Sequence, residues 1–398
     1  MIYTNFQNDK LSLLGFGAMR LPLLADGSID EPQVQQMVDY AMEHGVNYFD
    51  TAYPYHGSMS ELVMGRTLKK YPRESFYLAT KYPGHQIAET YNPAEIFEEQ
   101  LEKCQVEYFD YYLLHNIYEK SLPVYLDPKW GIIDYFLEQK RQGRIKHLGF
   151  STHGFLETMD EFLEKYGKEM EFCQIQLNYL DWTLQDAKGK CALLAKYGIP
   201  VWVMEPVRGG MLANLKAEDQ AKLEAVKPGV SPASWALRFL QDLPDVKMIL
   251  SGMSDFSQMV ENVDTFAERK ALTKEEKDLL FEIAEGMKNS VPCTACRYCV
   301  DGCPMQIDIP KMLSLYNDCL VKPNFNAGML VDSYPEEQRP AACIGCGACS
   351  AACPQKIDIP ACMEDFAGIL GNMQHWDELC KNRAEAAKKA REAAKKGK

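Results

Sequence analysis

The chain has 398 residues and a formal net charge of −13, from 43 Lys and Arg against 56 Asp and Glu. That balance argues against nucleic acid as a partner, because a phosphate backbone is met by clustered cations. No apolar run approaches the ~20 residues that span a bilayer, so no membrane span is expected. The length exceeds the roughly 250–300 residues at which a single core stops growing, so two domains are expected.

The N-terminal stretch MIYTNFQNDK has no apolar centre of the kind a signal peptide needs. Fourteen Cys without such a signal point to a reducing, cytoplasmic location, where thiols serve metals more than disulfides. From residue 11 to about 255, short apolar runs alternate with segments of 3.6-residue periodicity. Strands are expected at 13–19, 48–53, 76–81, 111–115, 147–151, 173–177, 200–204 and 247–251. Helices are expected between them, for instance at 32–44, 60–70, 93–104, 156–166 and 187–197. Asn92-Pro93 and Ser231-Pro232 have the order of a capping side chain followed by Pro in the first turn. Eight such alternations predict an α/β fold, a (β/α)8 TIM barrel over residues 1–288 closed by a helix at 273–288. A doubly wound sheet would satisfy the alternation too, but no G-x-G-x-x-G follows the first strand.

After a linker at 289–292, Cys293, Cys296, Cys299 and Cys303 precede Pro304, and fifty residues on Cys343, Cys346, Cys349 and Cys353 precede Pro354. Both runs read C-x2-C-x2-C-x3-C-P and end in Ile-Asp-Ile-Pro. This spacing suits two 4Fe-4S clusters, the fourth Cys of each run reaching across to the other cluster. The expected ligand sets are Cys293, Cys296 and Cys299 with Cys353, and Cys343, Cys346 and Cys349 with Cys303. A zinc site would use four ligands, usually as two separated C-x2-C pairs. Residues 289–370 are therefore expected to form a second, smaller and mostly helical ferredoxin-like domain, with a helical stretch at 310–320 and then a loop rich in Pro, Gly and Asn. Residues 371–398 read as a charged helical tail; the Ala- and Lys-rich part, 384–398, shows no apolar face, so a solvated helix without assigned function is expected there. The six other Cys read as small buried apolar residues.

Four polar residues fall at the carboxyl ends of expected barrel strands, the face where such barrels do chemistry. Asp50 closes the second strand with Tyr55 five residues on, Lys81 ends the third and His115 the fourth. A phenol of pKa ~10 is a poor acid or base at neutral pH. A neighbouring Lys81 ammonium is expected to lower that pKa, with Asp50 holding the Lys and His115 orienting a substrate oxygen.

In these residues the chain resembles the aldo-keto reductase family over about residues 10–265. Further matches are Ser151 and Thr152 after the fifth strand, Gln176 on the sixth, Pro232–Arg238, and Glu261-Asn262 after the eighth. The resemblance implies that Tyr55 protonates a carbonyl oxygen while hydride comes from a nicotinamide. It also implies a nucleotide pocket drawn from Ser151, Thr152, Gln176, Met204, Ser251, Gln258, Glu261 and Asn262. Departures lie in that pocket. Gln258 and Gly252 stand where the family's NADPH-binding members offer Arg and Lys, Thr152 replaces an Asn, Met204 an aromatic, and Glu205 a Ser. Losing two cations weakens phosphate recognition, so a flavin or NAD(H) is expected in preference to NADPH, with a barrel holding no dissociable nucleotide as the alternative. Arg208 and Gly209, followed by Gly210, form either a phosphate-binding loop or an ordinary Gly turn.

The expected function is that of an iron–sulfur oxidoreductase. Single electrons through two clusters would be coupled to reduction, or oxidation, of a small carbonyl or enone compound, with a ferredoxin or another electron-transfer protein as partner. The alternative is an electron-transfer subunit whose barrel serves as a docking scaffold.

Overall fold

The computed structural model describes residues 1–288 and 290–396; Asn289 of the expected linker and the tail's Gly397 and Lys398 lie outside the described residues. A hairpin of β1 (Tyr3–Phe6) and β2 (Asp9–Ser12), not anticipated from the sequence, leads into eight parallel strands. These are β3 (Leu14–Gly17), β4 (Tyr48–Asp50), β5 (Tyr77–Tyr82), β6 (Phe109–Leu114), β7 (Ile145–Thr152), β8 (Cys173–Gln176), β9 (Val201–Met204) and β10 (Val246–Gly252). Each pairs with the next, and β10 pairs back onto β3, so the sheet closes into the expected TIM barrel with flanking helices. Every residue of β6 is buried, as parallel strands covered by helices require.

The barrel's interior is solid. Tyr48, Tyr111, Phe172 and Trp202 fill it, and Phe6 and Leu11 of the hairpin plug its lower end. The Phe172 and Trp202 rings lie 4.7 Å apart, and a Cβ on Gly149 would approach the Phe172 carbonyl oxygen to 2.5 Å, so β7 needs glycine there. With the lower end packed, chemistry is confined to the carboxyl ends of the strands.

The expected helices form, and between β6 and β7 the amphipathic helix Ile132–Arg141 buries Ile132, Ile133 and Phe136. Beyond the barrel the chain is helical, at Ile309–Val321, Phe325–Val331, Ala348–Ala352, Ile359–Gly371 and Trp376–Lys396. The Phe325–Val331 helix occupies part of the expected Pro- and Gly-rich loop. Asn324 caps it through the Ala327 N–H, and its own Ala327, Met329 and Leu330 are buried.

The helical region docks on the barrel mouth. Tyr118 of the barrel lies in the helical region's apolar core beside Met312, Met329 and Trp376. Arg208, after β9, forms a buried bridge to Asp181 of the barrel and Asp318 of the Ile309–Val321 helix. Gln185 and Asn324 donate to the same Asp318 carboxylate at 3.1 and 2.7 Å.

The terminal segment corrects the expectation of a solvated tail. The Trp376–Lys396 helix forms as its composition predicts, but Trp376, Cys380, Ala387 and Ala390 are buried against the mouth. Their 4-, 7- and 3-residue spacing is a helical stripe; two of its members are alanines, too small to register as an apolar face. Arg391 then ties the helix to Glu99 at 2.6 Å and to the Tyr53 hydroxyl at 3.0 Å.

Removing one partner of a buried ion pair leaves the other charge desolvated and costs about 3–5 kcal/mol. Asp318→Ala is therefore expected to destabilise the docked helical region by about that amount, read as a lower denaturant midpoint in anaerobically prepared protein. A midpoint within about 0.5 kcal/mol of wild type, the level of a neutral surface change, would mean that the bridge holds nothing.

Candidate active site at the barrel mouth

Asp50 is the last residue of β4, Lys81 the fifth of β5, and His115 follows β6, so neighbouring strand ends converge the side chains that the sequence singled out. The Lys81 ammonium donates to Asp50 Oδ1 and, at 2.7 Å, to the Thr51 carbonyl. Both charges are buried, Asp50 being 3% exposed and Lys81 fully enclosed. Lys81 Nζ lies 4.9 Å from the Tyr55 ring centroid, and His115 meets that ring edge-on at 6.1 Å. Tyr125 buttresses His115 by donating to its carbonyl at 2.8 Å.

Burial pulls the Lys81 ammonium down, but Asp50 and Tyr55 outweigh it and hold its pKa above the ordinary value. For Tyr55 the balance runs opposite to the sequence expectation. Burial pushes the phenol above its ordinary 10, and Lys81 opposes that without reversing it. Tyr55 therefore keeps its proton at neutral pH, the state of a donor. Burial, reinforced by His85, Lys81 and Arg383, holds His115 well below 6.5, so its imidazole is neutral. His85, its ring 4.2 Å from that of His115, is held down by burial and by Arg383. The Nδ1 atoms of both histidines lack a protein partner.

Asp50, Tyr55, His85 and His115 line a cavity of about 690 Å³, with Lys81 enclosed behind them. Ser151, Gln176, Met204, Arg208, Gly209, Ser251, Gln258, Glu261 and Asn262 line it too. Thr152 does not, because its hydroxyl donates to the Ile117 carbonyl at 2.6 Å; His153 takes that stretch of wall. Several of the lining groups are committed to one another. Gln176 donates to Asp181, Asn262 to Ser251 Oγ, and Gln258 accepts from the Ser254 N–H. Arg208 is held by its two carboxylates, and Gly209 and Gly210 have φ of +61° and +89°, the geometry of a Gly turn. Arg20 lies across Gly252, where a Cβ would come within 3.2 Å of it, and bridges to Glu205 at 3.2 Å. Asp255 caps the helix Phe256–Thr265, placing a carboxylate at its N-terminus.

Wall groups that went unnoticed in the sequence include His85, His153, Phe325 and Arg383. His85 sits four residues beyond Lys81, close enough to be suspected. Phe325 and Arg383 come from beyond the barrel, and no local pattern announces them. The loop aromatics Tyr118, Tyr125 and Trp130 are absent from the lining; they pack, Trp130 against Tyr91 with centroids 5.2 Å apart.

In the helical region, Cys293, Cys296, Cys299 and Cys353 surround one small space, and Cys303, Cys343, Cys346 and Cys349 a second. Each quartet combines three cysteines of one run with the last of the other. Among the described residues, no three His, Cys, Asp or Glu side chains close around a single ion. Thiol quartets around spaces of this kind fit iron–sulfur cubes.

The aldo/keto reductase family profile matches residues 13–285, and a 4Fe-4S dicluster domain matches residues 292–357. The chain belongs to the aldo/keto reductase family and is an oxidoreductase carrying a 4Fe-4S domain. L-galactose dehydrogenase of Arabidopsis thaliana is 26% identical over 70% of this chain and 92% of its own length. The NADH-specific methylglyoxal reductase of Escherichia coli is 26% identical over 49% of this chain and 62% of its own. Among solved structures, a Bacillus halodurans aldo-keto reductase in its holo form superposes with a TM-score of 0.56 at 24% identity, covering 71% of this chain and 96% of that one. A Klebsiella pneumoniae aldo-keto reductase in complex with NADPH gives 0.56 at 19%, with the same two coverages. No helix among the described residues is long and apolar enough to cross a membrane.

With Tyr55 titrating above 10 and His115 well below 6.5, neither group changes charge between those values. The pH–rate profile for carbonyl reduction is expected to be flat across that interval. A titration inside it that Tyr55→Phe abolishes would place the phenol's pKa wrongly.

Proposed function

We propose that the barrel reduces a small carbonyl or enone compound, with Tyr55 protonating the substrate oxygen and the electrons reaching the mouth from the dicluster domain. The observation that carries this reading is the make-up of the cavity wall. Tyr55 and His115 stand on the barrel side, and Lys322–Asn326, the stretch between the two cysteine runs, stands opposite. The cavity is thus shared between the two halves of the chain.

Reduction of C=O adds two electrons and two protons, the net of a hydride on carbon and a proton on oxygen. Tyr55 supplies the proton that oxygen takes, and the Lys81 ammonium stabilises the phenolate left behind. Asp50 keeps Lys81 charged and fixed. His115, neutral, has ring nitrogens available to hydrogen-bond the substrate oxygen and turn it toward the phenol. Such positioned proton transfer is worth about 10²–10⁴-fold in rate. The two cysteine quartets, Cys293, Cys296, Cys299 with Cys353 and Cys343, Cys346, Cys349 with Cys303, would hold two 4Fe-4S clusters. Bound there, the clusters would supply single electrons; a flavin beside Tyr55 would pair them for delivery, whereas NAD(H) there would supply a hydride directly.

The charges favour those nucleotides over NADPH. Positions 252 and 258 offer no cation, Asp255 and Glu261 are acidic, and Arg20 and Arg208 are bound to carboxylates. The Klebsiella relative binds NADPH and the Escherichia coli one is NADH-specific, which supports a redox nucleotide in the cavity without fixing its type. Anaerobic purification followed by release and spectral identification of the organic cofactor should yield a flavin or NAD(H); stoichiometric NADP(H) would overturn the assignment.

Tyr55→Phe should lower turnover of responsive aldehydes, ketones or enones by about 10²–10⁴-fold. Reduction of the iron–sulfur absorbance by a chemical one-electron donor should be unchanged. Unaltered turnover in this variant would leave the barrel as a docking scaffold for a partner oxidoreductase.

A further inference from the structure

Three arginines line the cavity, and two are already neutralised: Arg20 by Glu205, and Arg208 by Asp181 and Asp318. Arg383 is different. It forms no hydrogen bond or ion pair with any described residue, and its guanidinium lies over the rings of Trp376 and Phe325, 5.2 and 6.0 Å from their centroids. Those two rings stack on each other at 6.2 Å and 18°. The groups that feel its charge are Cys380 on its own helix and, across the cavity, His85, His115 and Tyr55.

The arginine is held there by construction. The Trp376–Lys396 helix is fixed on either side of it, by burial of Trp376 and Cys380 before it and of Ala387 and Ala390 after it. Cys380 Sγ accepts the Ile87 N–H, and Arg391 grips Glu99 and Tyr53. Arg383 is partly buried; taking a guanidinium part-way out of water without a counter-charge carries a cost, and burial lowers its pKa from the ordinary value. The face of an aromatic ring offsets only part of that cost. The neighbouring histidines cannot serve as anion partners, being neutral, and Lys81 is spent on Asp50.

We infer that Arg383 is the anchor for an anionic group of the substrate, so that this reductase acts on carbonyl or enone compounds bearing a carboxylate, such as oxo acids. The carboxylate docks on the guanidinium, Phe325 packs the carbon chain with Trp376 buried behind it, and the reacting oxygen falls between Tyr55 and His115. This assignment rests on the mouth being the reduction site. The same oxyanion chemistry could come from a nucleotide phosphate, but Arg383 acts on Tyr55 and the histidines, not on the Gly252 and Gln258 side where the family pattern places that phosphate.

The test is calorimetric binding to anaerobically prepared full-length protein, with benzoylformate, its neutral methyl ester, pyruvate and inorganic pyrophosphate as probes. Charge-assisted hydrogen bonds of this kind are worth about ten- to a hundredfold in affinity. Benzoylformate should therefore bind wild type at least about tenfold more tightly than its ester. Arg383→Gln should erase that gap and Arg383→Lys restore part of it, with melting temperatures and cluster absorbance unchanged in both. Tyr55→Phe should keep the gap, so loss of turnover and loss of anion recognition are read separately. If Tyr55→Phe retains full turnover while the gap depends on Arg383, the reductase reading falls and the anion site stands. Acid and ester binding alike, a gap that survives Arg383→Gln, no carboxylate binding at all, or Arg383-dependent binding confined to pyrophosphate would each overturn the inference.

Discussion

The buried bridge from Arg208 to Asp181 and Asp318 joins the two halves of the chain at the point where chemistry is possible. An ion pair taken out of water contributes little net stability, because desolvation offsets the attraction. Its consequence is geometric: separating the halves would strand charges inside a low-dielectric interface, so the helical region has one acceptable seat. That seat puts Lys322–Asn326 into the cavity wall and carries the last helix across the opening. An open barrel mouth becomes a walled chamber, and its wall comes from the same region that holds the cysteine quartets.

Within the chamber, burial and charge compete over Tyr55, and the outcome decides the direction in which the site is ready to work. A phenol strongly depressed by an adjacent ammonium would idle as a base. Here Lys81 shares its charge with Asp50, and depth in the fold wins, so the phenol waits protonated. In the proposed reaction the ammonium would become decisive only after the proton has left, when it would face a phenolate. Stabilisation that appears mainly in the product of proton transfer is the differential kind that accelerates a reaction.

Much of this could be read from the sequence, and the limits have physical causes. The strands were legible because buried parallel strands are short continuous apolar runs, and Asp50, Lys81 and His115 could be placed because strand ends point them to one face. The cysteine runs were legible because cluster ligation needs fixed local spacing. The hairpin at the barrel's lower end has only Phe6 and Leu11 as inward residues, too few for a periodicity. The sign of the Tyr55 shift depends on depth, which no local pattern reports. Arg383 could not be found because its charge acts on His85, His115 and Tyr55, some 300 positions earlier, and its helix hides an apolar stripe in alanines.

The helical region's apolar core links the cysteines to the chamber more tightly than connectivity alone requires. Cys299 and Cys349, one from each run, lie in the same packed cluster as Met312, Met329, Tyr118, Trp376 and Cys380. Trp376 faces His85 at 5.8 Å and carries Arg383. Metal binding that orders such a small core is folding free energy for everything packed on it. The cysteine quartets can thus be separated in sequence from the barrel and still govern its mouth: without the core they help to build, Trp376 has no seat, the last helix loses its hold beside Tyr118, and the arginine at the chamber wall has nothing to fix its position. Enclosure of the barrel mouth and assembly of the cysteine-bearing region are then one structural event, with Tyr55 and His115 contributed by the first part of the chain and the enclosure by the last.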